Sequence, residues 1–196
     1  MRRIAPLFLA PLLLAGVHAP AQAAAMDALA ITEAAAQLPP NRFLWSDDPA
    51  ASGAISVLIS IPDQRAYVFR GRRLIAASSV STGSDENPTP TGTFTILQKN
   101  AQHRSNLYDD APMPYMQRLT WDGVALHAGA NPGFPASHGC IRLPTAFAKK
   151  LFAATRLGAT VEVTDEAYVA GAYTPIDDAA ITARANALGR EIASRQ

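Results

Sequence analysis

The sequence predicts one mainly β domain with accessory helices. Short β-branched runs recur between turn signals, as in residues 55–61 before Pro62-Asp63. Helical periodicity, in contrast, is confined to short segments near the two ends and to residues 144–155. The 196 residues, less a leader, leave a chain of about 170, which suits a single hydrophobic core.

Alternating or β-branched texture marks the predicted strands, and the first three form a meander. The strands are residues 55–61, 65–70, 74–80, 93–97, 124–127 and 159–164. The predicted helices are residues 24–37, 144–155 and 179–195, the last after a capping Asp177-Asp178. Residues 99–120 have no clean period. We predict an irregular excursion over the sheet, which is either a lid or a plain surface loop.

The start of the chain has the three-part layout of a secretory signal peptide. A short basic start precedes the apolar residues 4–17, and Ala21-Gln22-Ala23 fits a small-x-small cleavage pattern. We therefore predict a signal peptide over residues 1–23 and a periplasmic address. An uncleaved membrane anchor is the alternative, although the apolar run is shorter than the ~20 residues that span a bilayer. A lipoprotein anchor is excluded because no cysteine lies at the cleavage site.

The charge balance is close to neutral. The chain has 17 basic and 16 acidic residues, and loss of Arg2 and Arg3 with the leader leaves 15 against 16, a net charge of −1. A neutral chain lacks the basic footprint of a nucleic-acid-binding protein. We therefore expect no nucleic acid partner. The oligomeric state is left undetermined by the sequence.

The chain has one cysteine, Cys140, and it lies in Ser137-His138-Gly139-Cys140. In an exported protein a single thiol cannot form an internal disulfide. It is therefore buried and inert, paired with another chain, or retained because it reacts. A reactive cysteine needs a base that takes its proton, and His127 and His138 are the candidates. His103 lies in the irregular segment and has no spacing argument.

The neighbours of the cysteine favour the reactive interpretation. Gly139 leaves the local backbone amides uncovered, and such amides can stabilise an oxyanion. The fork of Arg142 suits a substrate carboxylate. In the alternative interpretation, Cys140 is a small buried hydrophobic residue, Ser137 is only a turn residue, and Arg142 is only a surface charge. Zinc held by Cys140, His138 and His127 is a further alternative, but no fourth ligand stands at a familiar spacing.

These residues resemble the signature of the L,D-transpeptidase catalytic domain, in which a histidine is followed by a Ser/Thr-His-Gly-Cys element. Upstream, residues 64–69 and 80–83 resemble the family's early strands, and Thr89-Pro90-Thr91-Gly92-Thr93-Phe94 resembles its Thr-Pro-x-Gly-x-Phe turn. The resemblance covers roughly residues 54–164. Between His127 and Ser137 lie only nine residues, 128–136, which is fewer than the family's commonest spacing. Two prolines and two glycines in this short loop predict a fixed backbone path.

The resemblance implies an L,D-transpeptidase-type β-sandwich and a role for each site residue. Cys140 would be the nucleophile and His127 the general base and later acid, oriented by the Ala128 carbonyl. The backbone amides of Gly139 and Cys140 would form the oxyanion hole. The residues implied at the substrate are Ser137, His138 and Arg142. The implied domains are a lead-in or linker at 24–53, the catalytic domain at 54–165 and a C-terminal helical extension at 166–196.

The implied substrate is the peptide stem of peptidoglycan, with no metal or organic cofactor. The thiol would attack the carbonyl of the third stem residue, usually diaminopimelate, and expel the terminal D-alanine, leaving a thioester. A neighbouring stem amine would then form a crosslink, an outer-membrane protein amine would form a covalent anchor, and water would make the enzyme a carboxypeptidase. A non-catalytic wall-binding protein is the alternative from another class.

Overall fold

Two β-sheets and two helices make up the described part of the protein, residues 29–47, 50–106 and 109–175 of a computed structural model. This confirms the mainly β class with accessory helices. In chain order the elements are α1 (29–36), β1 (Phe43–Trp45), β2 (Ile55–Ser60), β3 (Arg65–Arg70), β4 (Arg73–Ser79), β5 (Gly92–Thr95), β6 (Gln98–Arg104), β7 (Pro112–Arg118), β8 (Ala125–Ala128), β9 (Ile141–Leu143), α2 (Thr145–Ala154) and β10 (Thr160–Thr164). The predicted signal peptide at 1–23 and the predicted helix at 179–195 lie outside the described residues.

The first sheet has the strand order β1-β4-β3-β2-β10-β5, and it is antiparallel except where β10 runs parallel to β2. Both of its faces are covered, which explains why β2 is buried along its whole length. On one face Val57 and Ile59 join the main core. On the other face Leu58 and Phe69 join a smaller core that α1 and two tyrosines cover.

The segment predicted as a lead-in or linker packs onto this sheet. β1 pairs with β4, and the guanidinium of Arg65 closes the end of α1 through bonds to the carbonyls of Ala35 and Leu38, both at 2.8 Å. These bonds satisfy carbonyls that a helix end leaves without partners. Residues 29–47 therefore share a packed core with the sheet.

The second sheet has the order β6-β7-β8-β9 and corrects one expectation. Residues 99–120 were predicted to be irregular, which is wrong, because β6 and β7 form an antiparallel hairpin. The hairpin is fixed to α2, since Lys99 Nζ donates to the carbonyls of Phe152 and Thr155, both at 2.7 Å. The expectation of a free lid over the site therefore does not hold for the paired strands.

The two sheets meet where β9 touches the chain that follows β4. Ser81 and Arg142 exchange backbone hydrogen bonds at 3.0 and 2.9 Å, and Gly83 bridges to Ser137. Phe147 on α2 fills the core between the sheets and contacts the ring of Phe43 at 5.6 Å between centroids. In the described ranges, no helix has the length and apolarity to cross a bilayer.

Candidate active site

Two neighbouring parallel strands bring the candidate catalytic residues together. His127 lies on β8, and Cys140 immediately precedes β9, which pairs with β8. Both side chains line a pocket of about 570 Å³. The pocket is also lined by the other predicted substrate residues, Ser137, His138 and Arg142. The structure therefore brings the predicted nucleophile, the predicted base and the predicted substrate residues together at one pocket.

The turn before Cys140 requires a glycine. Gly139 has a φ of 105°, a conformation that residues with a side chain adopt only with strain. Ser137 Oγ closes this turn, because it donates to the Cys140 carbonyl and accepts from the Gly139 amide at 3.1 Å. The Gly139 amide, predicted as an oxyanion donor, is thus already paired in the structure. It can meet an oxyanion only after Ser137 Oγ releases it.

A buried threonine holds the same turn from the other side, and sequence reasoning assigned it no role. Thr89 Oγ1 donates to the Gly139 carbonyl at 2.8 Å and accepts from the Gly83 amide at 2.8 Å. Its residue is 4% exposed. The signal in the sequence was its place at the head of Thr89-Pro90-Thr91-Gly92, which the resemblance identified as a turn.

A second buried polar residue supports the start of the turn. The Thr82 carbonyl accepts from the amides of Ala136 and Ser137, both at 3.0 Å. Thr82 is held in turn by the Gln64 side chain, which accepts from the Thr82 amide at 3.0 Å and donates to Thr82 Oγ1 at 2.7 Å. The turn before Cys140 therefore rests on hydrogen bonds from residues that adjoin strands β3 and β4 of the first sheet, and these bonds fix its backbone.

His127 is buried and held in one tautomer. Its Nδ1 lies 2.8 Å from the Ala128 carbonyl, which can only accept, so Nδ1 carries the proton and Nε2 has the free lone pair. Burial lowers the pKa of His127, and the charge of Arg142 acts in the same direction, as does His103 when it is protonated, while the bond to Ala128 opposes them. At neutral pH the ring is therefore uncharged and able to take a proton.

The Cys140 thiol is also uncharged at rest. Its Sγ donates to the Gly123 carbonyl at 3.3 Å. Burial raises the pKa of the Cys140 thiol, whereas the Ala125 backbone amide and two nearby guanidinium groups, those of Arg142 and Arg118, lower it. The balance favours a neutral thiol, so Cys140 and His127 are both uncharged at neutral pH.

Arg142 presents a free cation to the pocket. Its aliphatic stem lies across Gly129, where an added Cβ would come within 3.1–3.4 Å of the Arg142 carbons. Its guanidinium has no ion pair or hydrogen bond to another side chain in the described ranges. His138 is exposed at the same pocket. Both side chains therefore border the space that a ligand in this pocket would enter.

The short loop at residues 128–136 is tied down by a buried asparagine. Asn131 Oδ1 accepts from the Gly133 amide at 2.9 Å, and its Nδ2 donates to Ser79 Oγ at 3.2 Å. Asn41, in the lead-in, donates to the Asn131 carbonyl at 3.0 Å. Side-chain hydrogen bonds as well as prolines and glycines thus set the path of this loop.

The opposite wall of the pocket comes from the hairpin that the sequence did not predict. Ser105, Pro112 and Met113 line the pocket together with Cys140. Their spacing carried no helical or alternating signal, so only the tertiary arrangement reveals them.

Among the described residues, no group of three His, Cys, Asp or Glu side chains is arranged to hold a metal ion. Cys140, His127 and His138, the ligands of the zinc alternative, therefore do not form such a group.

Comparisons with known proteins agree with this geometry. The sequence model of the YkuD family, the L,D-transpeptidase catalytic domain, matches residues 54–163. A search of curated proteins gave no match. Among solved structures, LD transpeptidase LdtMt1 in complex with imipenem is similar at 27% identity and a TM-score of 0.52, over 57% of this chain and 59% of that one.

Two further structures extend the comparison. The L,D-transpeptidase (Yku) from Stackebrandtia nassauensis is 25% identical, with a TM-score of 0.54, over 69% of this chain and 65% of that one. The L,D-transpeptidase from Mycobacterium smegmatis shares the fold at 24% identity and a TM-score of 0.53, over 56% of this chain and 58% of that one. This chain thus spans less than two thirds of the length of these solved chains.

Proposed function

Because the chain belongs to the L,D-transpeptidase catalytic-domain family, we propose that it is an L,D-transpeptidase that acts on the peptide stems of peptidoglycan. Cys140 is the nucleophile and forms a thioester acyl-enzyme. The observation that supports this most directly is that Cys140 shares a pocket with an imidazole whose Nδ1 is held by the Ala128 carbonyl. That bond leaves Nε2 as a base of defined position.

The reaction follows from the neutral resting pair. Cys140 Sγ attacks the carbonyl carbon of the third stem residue while its proton passes to His127 Nε2. The imidazolium then gives this proton to the leaving D-alanine amine, the C–N bond breaks, and the thioester remains. In the second half an acceptor amine attacks the thioester carbon, and the imidazole accepts the amine proton and returns it to the thiolate.

The oxyanion of each tetrahedral intermediate needs donors from the turn. The Cys140 amide is the first of these, and the Gly139 amide joins it when Ser137 Oγ turns aside. Such a rearrangement lets the same turn be closed in the resting protein and open to substrate. Arg142 supplies a fork that matches a carboxylate of the stem, and the pocket volume of about 570 Å³ accommodates a peptide branch.

The acceptor is a neighbouring stem amine, which gives a crosslink, or an amine of an outer-membrane protein, which gives a covalent anchor. A signal peptide at residues 1–23 would bring the enzyme to the periplasm, where peptidoglycan lies. The rival functions are an L,D-carboxypeptidase that uses the same site with water as acceptor, and a wall-binding protein without catalysis. The chemistry of this site requires no cofactor.

Mass spectrometry separates these functions. Imipenem is a suitable probe because it was captured with LdtMt1, so the folded protein should gain one imipenem mass, and Cys140→Ala should gain none. Exposed Lys149→Ala, on the outer side of α2, is the matched control and should label like the parent protein.

A defined tetrapeptide donor then identifies the reaction. Crosslinked dimers with loss of D-alanine indicate transfer, whereas tripeptide alone indicates the carboxypeptidase. A folded parent protein that is neither acylated by imipenem nor active on the tetrapeptide would contradict catalysis and leave the wall-binding alternative. Cleavage of wall material by Cys140→Ala at the parent rate would also contradict the role of the thiol.

A further inference from the structure

A second, much smaller space also borders Cys140. It is walled by Gly123 and Ala125, the two residues whose backbone groups bond the thiol, so the sulfur faces it. Four polar side chains and two methionines from the hairpin complete the wall. The hairpin residues that do so are His103, Ser105, Asn106, Met113, Met116 and Arg118.

The size of this space selects its occupant. Its volume is about 20 Å³, against about 570 Å³ for the main pocket. A polar cavity of about 10–15 Å³ is enough for one water molecule, provided that two to four polar groups bond it. The His103 ring, the Asn106 amide and the Gly123 carbonyl supply such groups. A stem peptide amine with its attached chain does not fit here, whereas a single water does.

His103 is the base that this space offers. It lies on β6, opposite Met113 on β7, and it is half-buried. The charged or titratable groups that face it are Arg118, Cys140 and, farther off, His127. Burial lowers the pKa of His103, and the Arg118 charge lowers it further. The ring is therefore a neutral imidazole at pH 7, which can accept a proton from water.

We propose that this small space seats one water beside Cys140 and that His103 is the general base for hydrolysis of the acyl-enzyme. The proposal rests on the proposed function, since it needs the thioester at Cys140. The water oxygen bonds to the thioester carbon as one water proton passes to His103. The C–S bond then breaks, protonated His103 returns its proton to the thiolate, and the stem carboxylic acid releases the second water proton to solvent and leaves as a carboxylate.

This arrangement divides the two fates of the thioester between two histidines. Acylation and transfer to an amine use His127 and the large pocket, because only that pocket admits a peptide. Hydrolysis uses His103 and the small space. The ratio of carboxypeptidase to transpeptidase activity is then set at the β6–β7 hairpin, independently of the acylating machinery.

The test measures three rates in the full-length protein with a tetrapeptide donor. In His103→Gln, loss of the acyl-enzyme to water without acceptor should slow by about 100-fold, the lower range for general base catalysis. Acylation and transfer to an added stem amine should stay within about twofold. Gln102→Ala changes an exposed neighbour on the same strand and should leave all three rates unchanged. Hydrolysis in ¹⁸O water confirms that water supplies the new oxygen.

A second variant distinguishes proton transfer from support of the fold. Hydrolysis lost in His103→Ala should return when imidazole is added to the buffer, and a loss that imidazole does not restore would count against the proposal. Unchanged hydrolysis in His103→Gln, or a parallel loss of all three rates, would overturn it, as would a parent acyl-enzyme that water does not attack. A parent protein that forms no acyl-enzyme at Cys140 would instead refute the proposed function.

Discussion

The buried hydroxyl of Thr89 should determine how well the nucleophile turn is held. Thr89 Oγ1 is the hydrogen-bond partner of both the Gly83 amide and the Gly139 carbonyl. Thr89→Val keeps the shape of the side chain but removes the hydroxyl. Thr89→Ser keeps the hydroxyl and removes one methyl group. The two variants therefore separate the hydrogen bonds from the packing.

The expected cost follows from these contacts. Valine leaves one buried donor and one buried acceptor unpaired, and each such group costs about 1–3 kcal/mol. We expect Thr89→Val to lower the free energy of unfolding by about 3 kcal/mol. Serine loses only one buried methyl, so Thr89→Ser should cost about 1 kcal/mol. The serine variant should also retain the carbonyl contact of Gly139, next to the nucleophile.

Urea unfolding and imipenem acylation measure the two effects. With a slope of about 1–3 kcal/mol per molar urea, the valine variant should lose roughly 1–3 M in its midpoint. Its acylation rate should fall by at least about tenfold at a temperature where it remains folded, because the turn that presents Cys140 is loosened. The serine variant should acylate within about threefold of the parent. Equal losses in the valine and serine variants would refute the reasoning, since the hydroxyl that serine retains would then give no advantage.

The remaining predictions concern His127 and Arg142. His127→Ala should slow acylation by about 100-fold or more while costing little stability, and an equal loss of melting temperature and rate would indicate a structural histidine. Because burial lowers the pKa of His127, the unfolded chain binds more protons than the folded one below the ordinary histidine pKa of 6.5. The parent should therefore lose stability as pH falls from 7 to 5, and His127→Gln should lose less; matching slopes in urea titrations would contradict this. Arg142→Lys should lower kcat/KM by about tenfold, because a point charge does not replace a planar fork, and unchanged kinetics would count against substrate contact.

Strands β2, β3 and β4 of the first sheet were predictable because their burial is nearly complete. Residues 55–60 and 65–70 combine β-branched or aromatic side chains with a clear turn between them, and the structure pairs them as a hairpin. Cys140 and His127 were selected from the sequence for a different reason, and their catalytic roles stay predictions. The glycine turn and the thiol carry their chemistry in residue type, so a short motif was sufficient to select them.

The β6–β7 hairpin was not predictable in the same way. Pro112 and Pro114 argue against a strand, because proline cannot donate to a ladder. Both lie in the half of β7 that pairs only with β6, since β8 reaches only Gln117 and Arg118. Tyr115, which follows Pro114, has a φ of 57° and interrupts the ladder. Long-range pairing and the lysine contact to α2 decide this hairpin, and neither is visible in a local window.

The supporting contacts of the site were missed because they join distant parts of the chain. Thr89 lies 50 positions from Gly139, and Asn41 lies 90 positions from Asn131. The local sequence around a polar side chain in a turn does not indicate which distant backbone group it will hydrogen-bond. The resemblance located the turn motif but did not show that its threonine reaches the nucleophile.

The contact between the lead-in (residues 29–47) and the loop at residues 128–136 determines where this protein can be truncated without loss of structure. The family match begins at residue 54, but β1 completes the edge of the first sheet, and Asn41 bonds the carbonyl of Asn131. Pro40 also lies against Gly133, where an added Cβ would come within 2.7 Å of its ring. Shared ancestry and mechanical integrity therefore have different boundaries in this chain: a fragment trimmed to the matched region would carry every catalytic group but would release the loop that flanks the base.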